Sequence, residues 1–453
     1  MSRTKGQEVI PSAKRLIGSL RDMGYDFSTA VADLIDNSIE AGATSVSIDV
    51  EFDGDDSWVR IADNGMGMSL SQLQESMRYG SERDYDGEDD LGKFGLGLKT
   101  ASMSQCQRLV VASRGNLREE VNAFSWDLDH VNATNKWEII KVKKRELKMI
   151  LDNHLDKSRG TVVFWQRLDR ILGYKHPYGE SAKKRMSTMC RELEDHLAMV
   201  FHRFLSGEVP GKKLRIILNG NQIKAWDPFA RKEEKTRVLE TVSIRVEHEG
   251  KAGTVILEPY ILPHQDDFSS IDAFKQASGP KKWNRQQGFY IYRANRLIQS
   301  GGWSGLKTLD EHMKLARIAV SFSPHLDDAF KINVSKMRVQ LPAQIKDEVE
   351  ASVKPATKIA QETYRRSAQK AATNTSARTV TPTISGVSVQ NQDDHKPVTS
   401  RNDGSSSVPK DEEHTSQYWT LDELQEKLVK LAEPNERPVL LKVFGRLRRN
   451  IKD

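Results

Sequence analysis

The sequence predicts a mixed α/β protein with a helix-and-strand N-terminal part, further strands beyond it and a long tail. Three observations carry that expectation. Val31, Leu34, Ile35 and Ile39 recur at helical spacing, and two runs with strand-like alternation follow at once, over 45–52 and 58–62. Strand-like runs return between residues 214 and 339. Residues 373–415 are rich in Ser, Thr, Asn, Asp and Gly and carry almost no large apolar side chains. A length of 453 residues suits two or three domains.

The helix comes first. Asp26 or Ser28 can cap its start, and Gly42 sits where it should end. Asp33 and Asn37 are four apart, so they share one face. An amide oxygen suits Mg²⁺, a hard cation. A carboxylate one turn away can hold or deprotonate a water. Asp36 is a second carboxylate on a neighbouring part of the helix. Alone, this pattern also fits a solvated polar face.

The two strands form a hairpin through the acidic turn at 53–56. Asp63 ends the second strand, and Gly65 and Gly67 allow tight backbone beside it. A carboxylate at a strand end can accept a hydrogen bond from an exocyclic amine such as that of adenine. Alone, it is also a plain Asp-Asn-Gly turn.

The glycine segment needs more care. Residues 87–93 fit the first seven places of the P-loop pattern, yet Phe94 replaces its Ser/Thr. Glu88, Asp89 and Asp90 would put negative charge where phosphates sit, and no apolar strand precedes Gly87. The glycines expected to matter are Gly92, Gly95 and Gly97, which lead directly into a helical run at 98–104. Backbone amides there make an anion site, and Lys99 adds charge. The acidic stretch before them reads as a lid. A dinucleotide fingerprint is excluded by the glycine order and the lack of a βαβ unit.

Together, Leu34-Ile-Asp-Asn-Ser38, Asp63-Asn-Gly-Met-Gly67 and Gly92-Lys-Phe-Gly-Leu-Gly-Leu-Lys-Thr-Ala-Ser102 resemble the GHKL ATPases. That superfamily includes gyrase B-type topoisomerases, a heat-shock chaperone, sensor histidine kinases and MutL. The motifs look most like the MORC branch and MutL. The resemblance implies a Bergerat-type α+β sandwich that binds ATP and Mg²⁺. Thr161, after Gly160 at the head of an apolar strand, matches a family Thr beside the adenine-binding Asp. By position, Asp63, Gly65, Gly67 and Thr161 would bind adenine or shape its pocket. Asn37 would bind Mg²⁺, and Gly92, Gly95, Gly97 and Lys99 would line the triphosphate. The family's base is a Glu, and here that place holds Asp33. Its shorter reach implies slow ATP hydrolysis, because misplacement by ~1 Å costs about a hundredfold.

The resemblance extends to about residue 345. Segments 214–220, 288–298 and 330–339 look like the transducer domain that follows the ATPase domain in MutL, gyrase B and MORC proteins. There a Lys reaches the γ-phosphate. Lys336 sits in the matching run, with Lys331 as the alternative. The expected organisation is an ATP-binding domain over 1–170, a transducer-like domain over 171–345 and a helical extension over 346–372 with Pro355 as a kink or break. A disordered linker over 373–415 and a small helical tail over 416–453, opened by a capping box at 420–423, complete it.

Composition narrows the function. No apolar run approaches the ~18–20 residues of a membrane span, and the first residues lack a signal-peptide core. Cys106 and Cys190 are too few for a disulfide or zinc framework and fit a cytoplasmic protein. Net charge is +6, with basic runs at 141–145, 183–185 and 446–449. The resemblance implies an ATP-gated homodimeric clamp on DNA, in repair, chromosome organisation or genome defence. A chaperone-like ATPase acting on proteins is the alternative. A histidine kinase ranks third, since no phosphoacceptor-His helix pair precedes the Asn helix. The tail offers a surface for a protein partner.

Overall fold

The computed structural model describes residues 9–22, 24–80, 97–332 and 339–377, with side chains to 366. The expectations for the 84–97 lid, for Gly92, Gly95 and Lys336, and for everything beyond 377 fall wholly or mainly outside them.

The first sheet shows why the alternating runs are strands. In β1 (Ser45–Glu51), Val46, Ile48 and Val50 face one core, and the hairpin partner β2 (Trp58–Asp63) adds Val59 and Ile61 to it. Ala62 points to the other face, where it meets Val110 and Ala112 of β3 (Arg108–Arg114), Ala123 of β4 (Asn122–Asp127), and Val162 and Phe164 of β6 (Gly160–Gln166). With β5 (Ile140–Lys141), β7 (Arg215–Leu218) and β8 (Asn221–Gln222), the order is β5-β4-β3-β6-β2-β1-β7-β8. All pairs are antiparallel except β1 with β7.

Helices cover the first face. α1 (Ala13–Arg21) and α2 (Phe27–Glu40) lead the sheet. Asp26 caps α2 by accepting from the Thr29 amide, and the chain turns out of it at Gly42 with φ of +69°. α3 (Leu70–Ser76), α4 (Gly97–Met103) and α5 (Leu128–Thr134) follow, and α6 (Lys144–Leu151) closes the far face with Ile150 and Leu151. α7 (Glu180–Val200) lays Met186, Met189, Leu193 and Leu197 on the same core as α2, and α8 (His202–Ser206) adds Phe204.

The segment 214–220 departs from expectation. Grouped by sequence with the second domain, it supplies β7, which extends the first sheet beside β1. Ile216 and Leu218 belong to the first core.

The second sheet runs β10-β11-β14-β12-β13, from β10 (Val242–His248), β11 (Lys251–Ile261), β12 (Gly288–Arg293), β13 (Arg296–Ser300) and β14 (Ala316–Phe322), with β9 (Arg237–Val238) paired to β11. α9 (Ile271–Ser278) and α10 (Lys282–Gln286) connect its strands. α11 (Lys346–Ala377) is one helix in which Pro355 makes no break. Val349, Val353, Ala356 and Ala360 on it are buried in the second core. That packing outweighs the ~3 kcal/mol a mid-helix proline costs.

Candidate nucleotide site

Asp63 stands last on β2, level with Thr161 on β6, which in turn faces Ser113 on β3. Its Oδ1 accepts from the Gly65 amide at 2.8 Å and the Thr161 amide at 3.3 Å, and Ser38 on α2 donates to Oδ2 at 3.3 Å. Burial pushes its carboxyl up to about 6, against these three hydrogen bonds. Thr161 is fixed in turn. Its hydroxyl lies 2.9 Å from that of Ser113, which also contacts the Gly160 carbonyl at 2.9 Å and accepts from the Met68 amide at 2.9 Å. Ser38 lies in the helix motif that carries Asp33 and Asn37, and its residue type alone does not mark this contact. Ser113 carried no signal, since a lone Ser in an apolar strand looks like any strand residue.

Backbone packing here is close. A Cβ on Gly67, at φ of +66°, would lie 2.1 Å from the Arg114 carbonyl oxygen, and one on Gly160 would lie 2.0 Å from that of Asp63. Only glycine lets the β2 end and the β6 start approach in this way. Asn64 serves the backbone: its side-chain oxygen accepts from the Thr44 and Ser45 amides, both at 2.9 Å.

On α2, Asp33 is 3% exposed. Tyr25 donates its hydroxyl to Oδ2 at 2.9 Å, and Arg296 of β13 places a guanidinium nitrogen 3.5 Å from Oδ1. Burial and the adjacent carboxylate push the Tyr25 phenol well above its ordinary range, so it remains a donor. Asn37, half-buried, follows one turn later. Asp36 is 0% exposed and takes the Arg296 guanidinium at 2.9 Å and 2.8 Å on its two oxygens. It is therefore a counter-ion in a closed setting and not an open base beside Asp33. Nothing local in the sequence marked Arg296, which lies 260 residues from Asp36.

Gly97 opens α4 against α2, with its Cβ direction 3.9 Å from Asp33 Oδ2. Two turns of sequence thus meet at the candidate base. Lys99 is buried, donates to the Ser76 carbonyl at 2.9 Å and has its ammonium pushed down to about 8 by burial. Among the described residues no three His, Cys, Asp or Glu gather as a metal cage, and no helix is long and apolar enough to cross a membrane.

Residues 25–161 match the family model of histidine kinase-, DNA gyrase B- and HSP90-like ATPases. This segment belongs to the GHKL ATPase superfamily. The match starts at the tyrosine that holds Asp33 and ends at the threonine that holds Asp63. Relatives of this GHKL domain include the DNA mismatch repair protein MutL of Pasteurella multocida, 33% identical over 97 residues, or 20% of this chain and 16% of that protein. MutL of Thermosipho africanus is 30% identical over 109 residues, covering 23% and 19%. Protein MICRORCHIDIA 5 of Arabidopsis thaliana is 35% identical over 155 residues, covering 30% and 22%. The similarity spans less than a quarter of each of these relatives.

Proposed function

We propose that this GHKL protein binds Mg·ATP over Asp63, hydrolyses it slowly through Asp33 and acts as an ATP-gated dimeric clamp on DNA. The observation that carries the nucleotide reading is the Asp63 carboxylate, held from three sides beside the start of β6. Its remaining acceptor capacity suits an adenine amine. Asn37 would hold Mg²⁺ through its amide oxygen, a hard donor that suits this cation. When bound, the ion neutralises charge on the phosphates. Asp33 takes the proton of the attacking water, and Tyr25 keeps its carboxylate oriented.

Asp63→Ala should weaken ATP binding by about 1–3 kcal/mol, or roughly 5- to 150-fold, by removing the amine's acceptor. Calorimetry showing unchanged affinity would reject the assignment. The carboxyl, normally near 3.8, is raised to about 6. ATP affinity should therefore fall roughly tenfold between pH 7 and pH 5 as the acceptor is protonated. Stability linked to Asp63 runs the other way. A raised folded pKa contributes stability that is fully present below about 3.8 and lost as pH rises through about 6. In Asp63→Asn the acid decline in affinity should vanish; its persistence would mean another group titrates.

The clamp reading is supported by the similarity to proteins named for DNA mismatch repair and by the net positive charge. Light scattering should show a dimer with a non-hydrolysable ATP analogue and a monomer with ADP or without nucleotide, and DNA binding should rise with the analogue and fall with salt. A mass near 51.3 kDa in all three states would sink it.

A further inference from the structure

We propose that Arg296 is a positioning residue: carried by β13 of the second sheet, it sets the carboxylate of Asp33 on α2 and so ties ATP turnover to the placement of that sheet. The proposal rests on the reading of Asp33 as the base.

The β12–β13 hairpin turns through Ala294 and Asn295, both with positive φ, at 46° and 68°. Such a two-residue turn is of the tight kind that fixes strand register. It delivers Arg296 at the first position of β13, 2% exposed, with the Phe201 ring 5.9 Å away. The guanidinium is anchored by Asp36 at 2.8 Å and 2.9 Å. From that anchor its fork reaches Asp33 Oδ1 at 3.5 Å, while Tyr25 holds Oδ2. Asp33 and Asp36 are three residues apart, so one planar cation spans both.

Two properties follow. Buried carboxylates need a partner, so this contact is not idle. Asp33 also has one of its oxygens oriented by a residue of another sheet. A shift of that sheet by ~1 Å relative to α2 moves the carboxylate by a comparable amount, a displacement that costs about a hundredfold in rate. The adenine side of the site is built on Asp63, Thr161 and Ser113 of the first sheet with Ser38 of α2, whereas Arg296 grips Asp33 and Asp36. Arg296 should therefore act on turnover and not on affinity.

The test uses the full chain and reads three quantities: calorimetric affinity for a non-hydrolysable ATP analogue, steady-state kcat and KM, and melting temperature. Arg296→Gln should leave analogue affinity within about threefold and lower kcat at least tenfold. Arg296→Lys, which restores the charge without the fork, should recover part of kcat. Should Arg296→Gln fail to fold, Asp36→Asn removes the anchor and keeps the cation. It should lower kcat with affinity retained. A kcat within twofold of wild type in Arg296→Gln, or affinity and kcat falling together with the melting temperature, would overturn the proposal. The two readings separate cleanly. If Asp33→Asn turns over at the wild-type rate, the base assignment fails and takes this proposal with it. If Asp33→Asn is inactive while Arg296→Gln is fully active, only the role of Arg296 fails.

Discussion

Asp33→Asn should lower ATP turnover by about 10²–10⁴-fold while leaving ATP bound, because a positioned general base contributes on that order. The amide is nearly isosteric, so the Tyr25 contact to the side-chain oxygen can persist. What is lost is the acceptor for the water proton. Binding should hold because Asp63 and Thr161 pair across β2 and β6. Single-turnover hydrolysis alongside calorimetry measures both halves. Wild-type turnover would place the base elsewhere. Asp33→Glu is informative in the opposite sense. From sequence, the longer side chain should restore the family's reach and raise turnover. In the structure Asp33 is 3% exposed and enclosed by Tyr25 and Arg296. An added methylene there meets packed atoms, and overpacking typically costs about 1–3 kcal/mol. The gain in reach is opposed by that strain.

Arg293→Ala should destabilise the fold by about 3–5 kcal/mol, the usual effect of leaving one member of a buried ion pair alone. Arg293 at the end of β12 meets Asp327 in a two-pronged contact, Nε to Oδ1 at 2.7 Å and a terminal nitrogen to Oδ2 at 2.8 Å. Both side chains are almost fully buried. The pair links β12 to the turn that follows β14, beside the stacked rings of Phe322 and Phe330. Asp327→Ala should cost a similar amount. The double change Arg293→Met with Asp327→Leu should recover much of the loss, since replacing both charges with apolar groups removes the orphaned ion. Urea denaturation checks all three. A single-variant loss below about 1 kcal/mol would mean that water reaches the pair.

Much of the first sheet was legible because its signals are local. Alternation in 45–52 and 58–62, the Asp26 cap and the turn at Gly42 each involve neighbours in sequence. Asp63 and Thr161 were brought together by resemblance, and the register of β2 against β6 places them level. The parts not legible are set by distant partners. β7 pairs with β1 across some 170 positions, and its four residues carry no mark of which sheet they extend. Arg296 reads as a strand arginine until Asp36 is seen opposite it. Pro355 reads as a breaker because propensity is local, while the apolar face that holds α11 together is completed by the second core.

The parallel pairing of β1 with β7 also bears on where the chain can be cut. The family match ends at residue 161, and a fragment stopped there or at 170 would include Asp33, Asn37, Asp63 and Thr161. It would also lose α7 and leave the β7-facing flank of β1 with unpaired amides and carbonyls over Ser45–Ile48. A bared apolar strand edge is a template for pairing with other chains. Such a fragment would hold those residues and still tend to aggregate, whereas one carried through Gln222 keeps the flank covered.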